Sequence, residues 1–339
     1  MEGCDPSIAV MKIAIIYSLP TRRALTTPYK ATDEDTKDSA IEVSSALKEK
    51  GATIEILGID EDSIEKIRSI HADVLFNLIE WDGFDTPLSV RALGLIESLH
   101  IPYTGPAVEA IEVCNDKVKM KKLLDVHGLP TPLWQLFTTG TEPIRDHLRF
   151  PVIVKLAWEH CSVGLTQDAI VQKKDDLAAA VKERIATFHQ PVYVEEFIDG
   201  REFQVTILDG SKGLRVLPPA EIVFDTKGTG AFLTYESRWN EEHPEYETSH
   251  VVRAKLSPVR MQQLYRLAHK TFRMFGFRDY CRLDIRLSDD TFYILEANAN
   301  PGLGDSDDYG MTVSYKAAGM TFADFCWEIV ESCLRRKRV

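Results

Sequence analysis

The sequence predicts an α/β protein of more than one domain, and three observations lead there. The apolar run MKIAIIY (Met11–Tyr17) has the length and content of a strand buried in a parallel sheet. Two more such runs, ATIEILGI and ADVLFNLI, follow it with helical segments between, the alternation of a small parallel sheet. At 339 residues, 44% of them hydrophobic, the chain is long enough for two or three cores.

Taken in order, the first strand gives way to a polar stretch, SLPTRRALTTPYKATDEDT, which reads as a long loop. A helix with apolar positions at Ala40, Val43 and Leu47 then ends at Gly51. This first unit runs to about residue 115. Ligands of such sheets gather at the carboxyl ends of strands, which places the loops after Tyr17 and Ile79 near a site. A second unit opens with CNDKVKMKKLLDVHGLPTP, where Asn or Asp caps a helix that His-Gly-Leu-Pro stops. RFPVIVKLAW is a strand before the turn EHCSVGL, DDLAAAVKERIATF is a helix, and PVYVEEFIDGREFQVTIL reads as two strands around Asp-Gly. The last third holds the strands RVLPPAEIVF, YCRLDIRL and FYILEAN, with helices at SPVRMQQLYRLAHKTFRMFG and TFADFCWEIVESCLRR. There is no internal repeat or low-complexity tract.

A net charge of −12 argues against nucleic-acid or membrane-surface partners. The apolar runs are strand-sized, short of the ~20 residues of a membrane helix. The six cysteines are scattered without a C-x-x-C pair, so a reducing compartment is expected in place of a disulfide framework or zinc site. The first ten residues lack the features of a signal peptide, and the expected location is cytoplasmic.

Four segments carry chemistry together. Lys117 starts a helix after a capping Asn-Asp, and Lys155 ends an apolar strand. VEEFIDGRE brings Glu195, Glu196 and Glu202, and alternation lets at most one of the first two face a pocket. Alternation in RLDIR puts Arg282, Asp284 and Arg286 on one strand face, and Glu296 and Asn298 share another. Asp, Glu and Asn supply the hard oxygen ligands magnesium takes beside phosphate. Two lysines can bracket a polyphosphate, and Arg282 can steady an oxyanion. Singly, each reads as a solvated charge, and Lys119, Lys121 and Lys122 read as an exposed helix face. The set reads as a nucleotide site.

The motifs IPYTG, NDKVKMKKLL…GLPTP, FPVIVK, SVG, EEFIDGREFQV, RLDIRL and LEANANPG make the chain resemble the ATP-grasp enzymes, most closely the D-alanine–D-alanine ligases, from Met11 to the last helix. The resemblance implies an N-terminal parallel α/β domain (1–115) and two ATP-grasp subdomains (116–193 and 194–339) with mostly antiparallel sheets. It implies that Lys117 and Lys155 contact the α and β phosphates and that Ser162, Val163 and Gly164 cover the γ-phosphate. Glu195, Glu196, Phe197 and Ile198 would form the adenine hinge, and Glu202 would hold the ribose. Asp284, Glu296 and Asn298 would bind two magnesium ions, with manganese as the substitute, while Arg282 and the Gly302 backbone would stabilise the tetrahedral intermediate. TGAFLTYESRW (Thr229–Trp239) resembles the loop that closes over ATP, with Phe232 and Arg238 as contacts. Arg238 stands where the family usually has Lys, a fork replacing a point donor. The resemblance also leans towards a homodimer through the N-terminal domain.

The departures fall on the amino-acid pockets. The glycine-containing loop expected after the first strand is replaced by SLPTRRALTTPYKATDEDT, and a His-Gly loop by NLIEWDGFDTP with Glu80 and Trp81. After the magnesium motif stand Asp305, Asp307 and Asp308, where small and hydroxyl residues are expected. A carboxylate cannot receive another carboxylate without a bridging cation or proton. The expectation is therefore an ATP-dependent carboxylate–amine ligase, acting through an acyl phosphate, on small molecules other than two D-alanines. Arg22 and Arg23 would bind a carboxylate and the acids an amino-bearing nucleophile; the competing readings are a solvated turn for the acids and an exposed loop pair for the arginines, the latter fitting at least one of the two better. Trp81 reads either as a pocket wall or as packing between domains. True D-alanine–D-alanine ligation, an ATP-grasp kinase and a silent nucleotide-binding regulator are the alternatives. The oxyanion pair disfavours the kinase, and the intact metal set disfavours the regulator.

Overall fold

The computed structural model describes residues 11–228 and 231–337. Three strands, β1 (Lys12–Ser18), β2 (Thr53–Ile59) and β3 (Val74–Leu78), form a parallel sheet in the order β2-β1-β3. The central place of β1 explains its unbroken apolar run. Ile13 and Ile15 face one core, while Ala14 and Ile16 face another. Helix α1 (Ala31–Glu49) starts inside the polar segment expected to be loop, and a 3₁₀ turn (Ala24–Thr26) occupies more of it. That segment has no hydrophobic period to read. Helices α2 (Thr86–Ser98) and α3 (Val108–Cys114) then pack Leu93, Ile96 and Ile111 against Leu75 and Ile79.

The second sheet follows helix α4 (Lys117–Val126), whose cap is Asp116, accepting from the Val118 and Lys119 amides at 3.0 Å each. Strands β4 (Trp134–Phe137), β5 (Val152–Leu156), β6 (Ile170–Val171) and β7 (Val192–Glu196) order as β4-β7-β5-β6, every pair antiparallel. Helix α5 (Lys174–Phe188) covers it, packing Leu177 and Val181 on Val152, Val154 and Val194.

The third sheet holds β8 (Arg201–Gly210), β9 (Gly213–Val216), β10 (Ala220–Phe224), β11 (Ser249–Arg253), β12 (Tyr280–Ser288) and β13 (Thr291–Asn298). Its path is β11-β10-β8-β12-β13 with β9 on β8, again antiparallel throughout. RVLPPAEIVF is two strands, not one, because Pro218 and Pro219 have no N–H for a ladder. The two strands around Asp199-Gly200 lie in different sheets. That crossing is tight: a Cβ on Gly200 would stand 2.1 Å from the Leu287 carbonyl oxygen. Between β10 and β11 lies the short α6 (Tyr235–Trp239), capped by a reciprocal Thr234–Ser237 box. Helix α7 (Pro258–Met274) packs one sheet face through Leu264, Ala268 and Phe272. Helices α8 (Gly310–Ala317) and α9 (Phe322–Lys337) pack the other, and their core is continuous with Ile13, Val43 and Leu47 of the first unit. Among the described residues no helix is long and apolar enough to cross a membrane.

Candidate active site

A cleft lies between the second and third sheets, apolar at one end and cationic at the other. Ile153, Phe197 and Phe232 form one buried cluster, with the Phe197 and Phe232 rings edge to face at 6.2 Å. Lys117, Lys155 and His160 line the opposite end. Flat apolar walls suit a base, and cations suit phosphates.

The cationic end is more heavily paired than the sequence indicates. Lys155 Nζ lies 2.5 Å from Glu195 Oε1, and Lys121 Nζ lies 2.7 Å from Glu195 Oε2. Lys121 is 0% exposed, so its expected place on a solvated face is corrected. Lys121 sits one turn beyond Lys117, which is itself 6% exposed, so the two share the inward face, while Lys119 and Lys122 do face water. Burial works against the Glu195 charge, but the two lysines outweigh it and hold the carboxyl below its usual range. Two lysines on one carboxylate leave a surplus positive charge, and Lys155 is the one that faces the cleft. Glu196 pairs with Arg149 at 2.9 Å.

The β12–β13 ladder positions the expected metal ligands. Arg282 pairs across it with Asn298 and Asp284 with Glu296, and a bulge after Asp284 turns both Leu295 and Glu296 into the cleft. Arg282 grips Asp284 bidentately, Nε to Oδ1 at 2.8 Å and Nη2 to Oδ2 at 3.1 Å. Burial alone would lower its pKa, but Asp284 and Glu296 raise it above the ordinary guanidinium value. Asn298 Nδ2 donates to Asp284 Oδ2 at 3.2 Å. Glu296 binds Lys117 Nζ and stands 2.7 Å from His160 Nδ1. Against its burial, those two neighbours hold Glu296 well below the carboxylate range. Two carboxylates side by side with one amide oxygen fit magnesium as a part-site that phosphate oxygens complete. Accordingly, no group of three His, Cys, Asp or Glu among the described residues could hold a metal alone.

A loop and a cover segment close the cleft. Cys161 and Ser162 both take left-handed backbone, φ 53° and 62°, which costs on the order of 1 kcal/mol for each non-glycine residue. Both are held from the cover: Ser162 Oγ donates to the Leu233 carbonyl at 3.1 Å, and Trp239 Nε1 donates to the Cys161 carbonyl at 3.0 Å. Gly164, at φ 68°, has Phe188 where a Cβ would need to be. Phe232 and Arg238 line the cleft as expected of the cover, whose Thr229 and Gly230 lie outside the described residues. Glu202, expected at the ribose, accepts from Arg286 Nε at 2.8 Å.

Two further cavities meet this cleft at Arg238. One is lined by Glu80, Trp81, Asp35, Arg282, Gly302 and Tyr309, and Glu80 lies over Gly302, 3.4 Å from where its Cβ would be. The other, of about 500 Å³, is lined by Arg238, Arg282, Tyr246, Glu247, His250 and Asp308. Arg238 lines all three.

Several expected substrate residues are engaged by other protein groups. Arg22 pairs with Asp62 and Glu61 at the surface. Arg23 pairs with Asp85 at 3.2 Å and lines a further cavity that adjoins the cleft at Glu159, His160 and Val163. Asp305 accepts from Tyr315 and Lys316, and Asp307 from Lys316 at 3.0 Å, while Asp308 lines the large cavity. Lys316 lies close in sequence to the two aspartates it pairs with, whereas the arginine partners Asp62 and Asp85 are 40 and 62 residues away. Trp81 is wholly buried, its indole N–H donating to the Leu19 carbonyl at 2.8 Å, so it packs in the core while backing the cavity at Glu80. The sequence reading missed Lys121, His160 and the roles of Asp35, Glu247 and Arg286. Only Lys121 and His160 carried a signal, by helical spacing from Lys117 and by adjacency to the SVG loop.

A family model described as the D-ala D-ala ligase C-terminus matches residues 123–331. A D-alanine–D-alanine ligase of Desulforudis audaxviator (strain MP104C) is 30% identical over 299 residues, 87% of this chain and 92% of the relative. One of Carboxydothermus hydrogenoformans is 29% identical over 296 residues, 84% and 89% of the two chains. The fold is similar to that of the D-alanine–D-alanine ligase from Bacillus anthracis complexed with ATP, at a TM-score of 0.72 and 23% identity, covering 97% of this chain and 99% of that one. The Coxiella burnetii ligase gives a TM-score of 0.70 at 17% identity, over 97% and 95%. The chain therefore belongs to the D-alanine–D-alanine ligase family, and it is an ATP-dependent ATP-grasp ligase that forms a carbon–nitrogen bond.

Proposed function

We propose that this ligase joins an amino-acid-like carboxylate to an amine other than D-alanine, through an acyl phosphate. The observation that carries the reading is the meeting of three cavities at Arg238, two of them sharing Arg282. A nucleotide, an acyl donor and an amine each need one chamber, whereas a kinase needs no third. In this reading the cleft takes ATP, the cavity at Glu80 and Gly302 takes the carboxylate, and the large cavity takes the amine.

The carboxylate oxygen attacks the γ-phosphorus as the bond to the β-phosphate oxygen breaks and ADP leaves. Lys155 and Lys117 offset charge between the two anions, and Arg238 sits where the phosphoryl group passes. Asp284, Glu296 and Asn298 would hold magnesium, which supplies charge neutralisation at the phosphate oxygens. The amine then attacks the acyl carbon, Arg282 and the Gly302 N–H steady the oxyanion, and phosphate leaves as the nitrogen loses a proton.

The lining of the large cavity supports the substrate departure. Arg238 and Arg282 are two of its walls, while Glu247, His250 and Asp308 are others. Its volume of about 500 Å³ lies in the range of sites that enclose much larger ligands than alanine. A bulky amine carrying a second positive group fits that lining. D-alanine–D-alanine ligation is the second reading, favoured by the names of the relatives. Incubation with ATP, magnesium and pooled amino acids and amines separates the readings by mass. New amide from other amines supports the first, only the D-alanine dipeptide supports the second, and a stable phosphorylated product without amide removes both.

A further inference from the structure

Arg286 is 3% exposed and reaches acceptors on three separate segments. Nη1 donates to the Ile198 carbonyl at 2.8 Å, in the crossing from β7 to β8. Nε donates to Glu202 Oε2 on β8 at 2.8 Å, and Nη2 lies 2.7 Å from the same oxygen. Nη2 also donates to the carbonyl of Ala231 in the cover segment. Beneath the guanidinium lies the Phe197 ring, 4.8 Å from its carbon, and that ring packs on Phe232 of the cover. One side chain thus ties the floor of the base end to its roof.

The cleft below has a free volume of about 120 Å³, well under the several hundred that enclose a ligand of nucleotide size. The cover must therefore shift for a nucleoside triphosphate to enter or leave. When Ala231 moves away, a buried guanidinium N–H loses its acceptor, a loss that penalises the open arrangement. The charge of Arg286 is already balanced by Glu202, so the fork adds directional bonds rather than a field at the base.

We propose that Arg286 is a positioning residue that latches the Ala231–Trp239 segment over the nucleotide cleft and so keeps water from the acyl phosphate. This inference rests on the reading of the cleft as the ATP site. The conservative probe is Arg286→Lys, which retains a cation for Glu202 but cannot serve both carbonyls. Arg286→Met removes every donor at similar length.

The test is limited proteolysis of the full chain around the cover, with and without a non-hydrolysable ATP analogue, beside the ratio of amide formed to ADP released. In the wild type the analogue slows cleavage, and absence of that protection refutes the ATP-site reading itself. Given protection, Arg286→Lys is expected to raise the unliganded cleavage rate about tenfold, one lost buried hydrogen bond. It should also lower amide per ADP severalfold as water intercepts the intermediate, with the melting temperature in the unliganded form little changed. Arg286→Met should exceed both effects, and if it does not fold, Arg286→Lys decides alone. Wild-type cleavage and wild-type coupling in Arg286→Lys would overturn the latch while leaving the nucleotide site standing.

Discussion

The nucleotide cleft and the acidic run after Gly302 are both dense in charge, yet they use it in opposite ways. In the cleft, partners come from distant elements: Lys117 meets Glu296, and Lys121 and Lys155 meet Glu195, each across separate helices and strands. Lys117, Lys121 and Glu195 are buried and Lys155 and Glu296 half-buried, and at both carboxylates the attraction overcomes burial. In the run, Asp305 and Asp307 pair with Lys316 about ten residues away, and all three side chains are open to water. Charge held by long-range partners builds a site, whereas charge held locally makes a soluble turn.

Four predictions sharpen that contrast. The largest effect is expected at Glu296→Ala, which removes a metal carboxylate and leaves Lys117 and His160 without their partner. Turnover should fall at least about a thousandfold, within the span attributed to lost electrostatic groups. Ordinary activity in that variant would remove the metal assignment.

Next comes Lys121→Met, which breaks one arm of a buried ion pair. A loss of about 3–5 kcal/mol is expected, measured by denaturant unfolding, against less than about 0.5 for the exposed Lys122→Met. Equal effects at the two positions would mean that burial of Lys121 has no energetic consequence.

The third concerns pH. Glu195 has a depressed folded-state pKa, so its contribution to stability is present above the ordinary carboxylate value, about 4.3, and is lost as pH falls through that value towards the folded one. The melting temperature should drop between about pH 5 and about pH 2, and it should drop less in Glu195→Gln. A parallel fall in both proteins would assign the acid loss elsewhere.

The smallest effects separate the neighbouring acids. Asp308→Ser should change the preferred amine severalfold, since Asp308 lines the large cavity. Asp307→Ser should leave the substrate profile within about twofold, because Asp307 meets only Lys316 and solvent. A profile that moved with Asp307 and not Asp308 would reverse this division of the run.

Much of the fold was legible because its signals are periodic. The strand at Met11–Tyr17, the capped helix at Lys117 and the strands carrying Asp284 and Glu296 fall where alternation and capping place them. The antiparallel sheets came from family resemblance rather than from any single periodicity. Lys121 was misread because composition judges a lysine-rich helix by its polarity, while burial depends on Glu195 from another sheet. Motif reasoning could not show the ion-pair partners of Arg22, Arg23, Asp305 and Asp307, whether near in sequence, as Lys316 is, or distant, as Asp62 and Asp85 are. His160 and Arg286 became functional only once Glu296, Glu202 and the cover were seen around them.

The most direct test of the proposed function is a competition. Protein, ATP and magnesium are given D-alanine together with amines that carry a second positive group, and amide products are quantified by mass alongside ADP and phosphate. The expected result is that the cationic amines dominate the amide formed, with ADP and phosphate released in equal amounts. Preferential formation of the D-alanine dipeptide would contradict it.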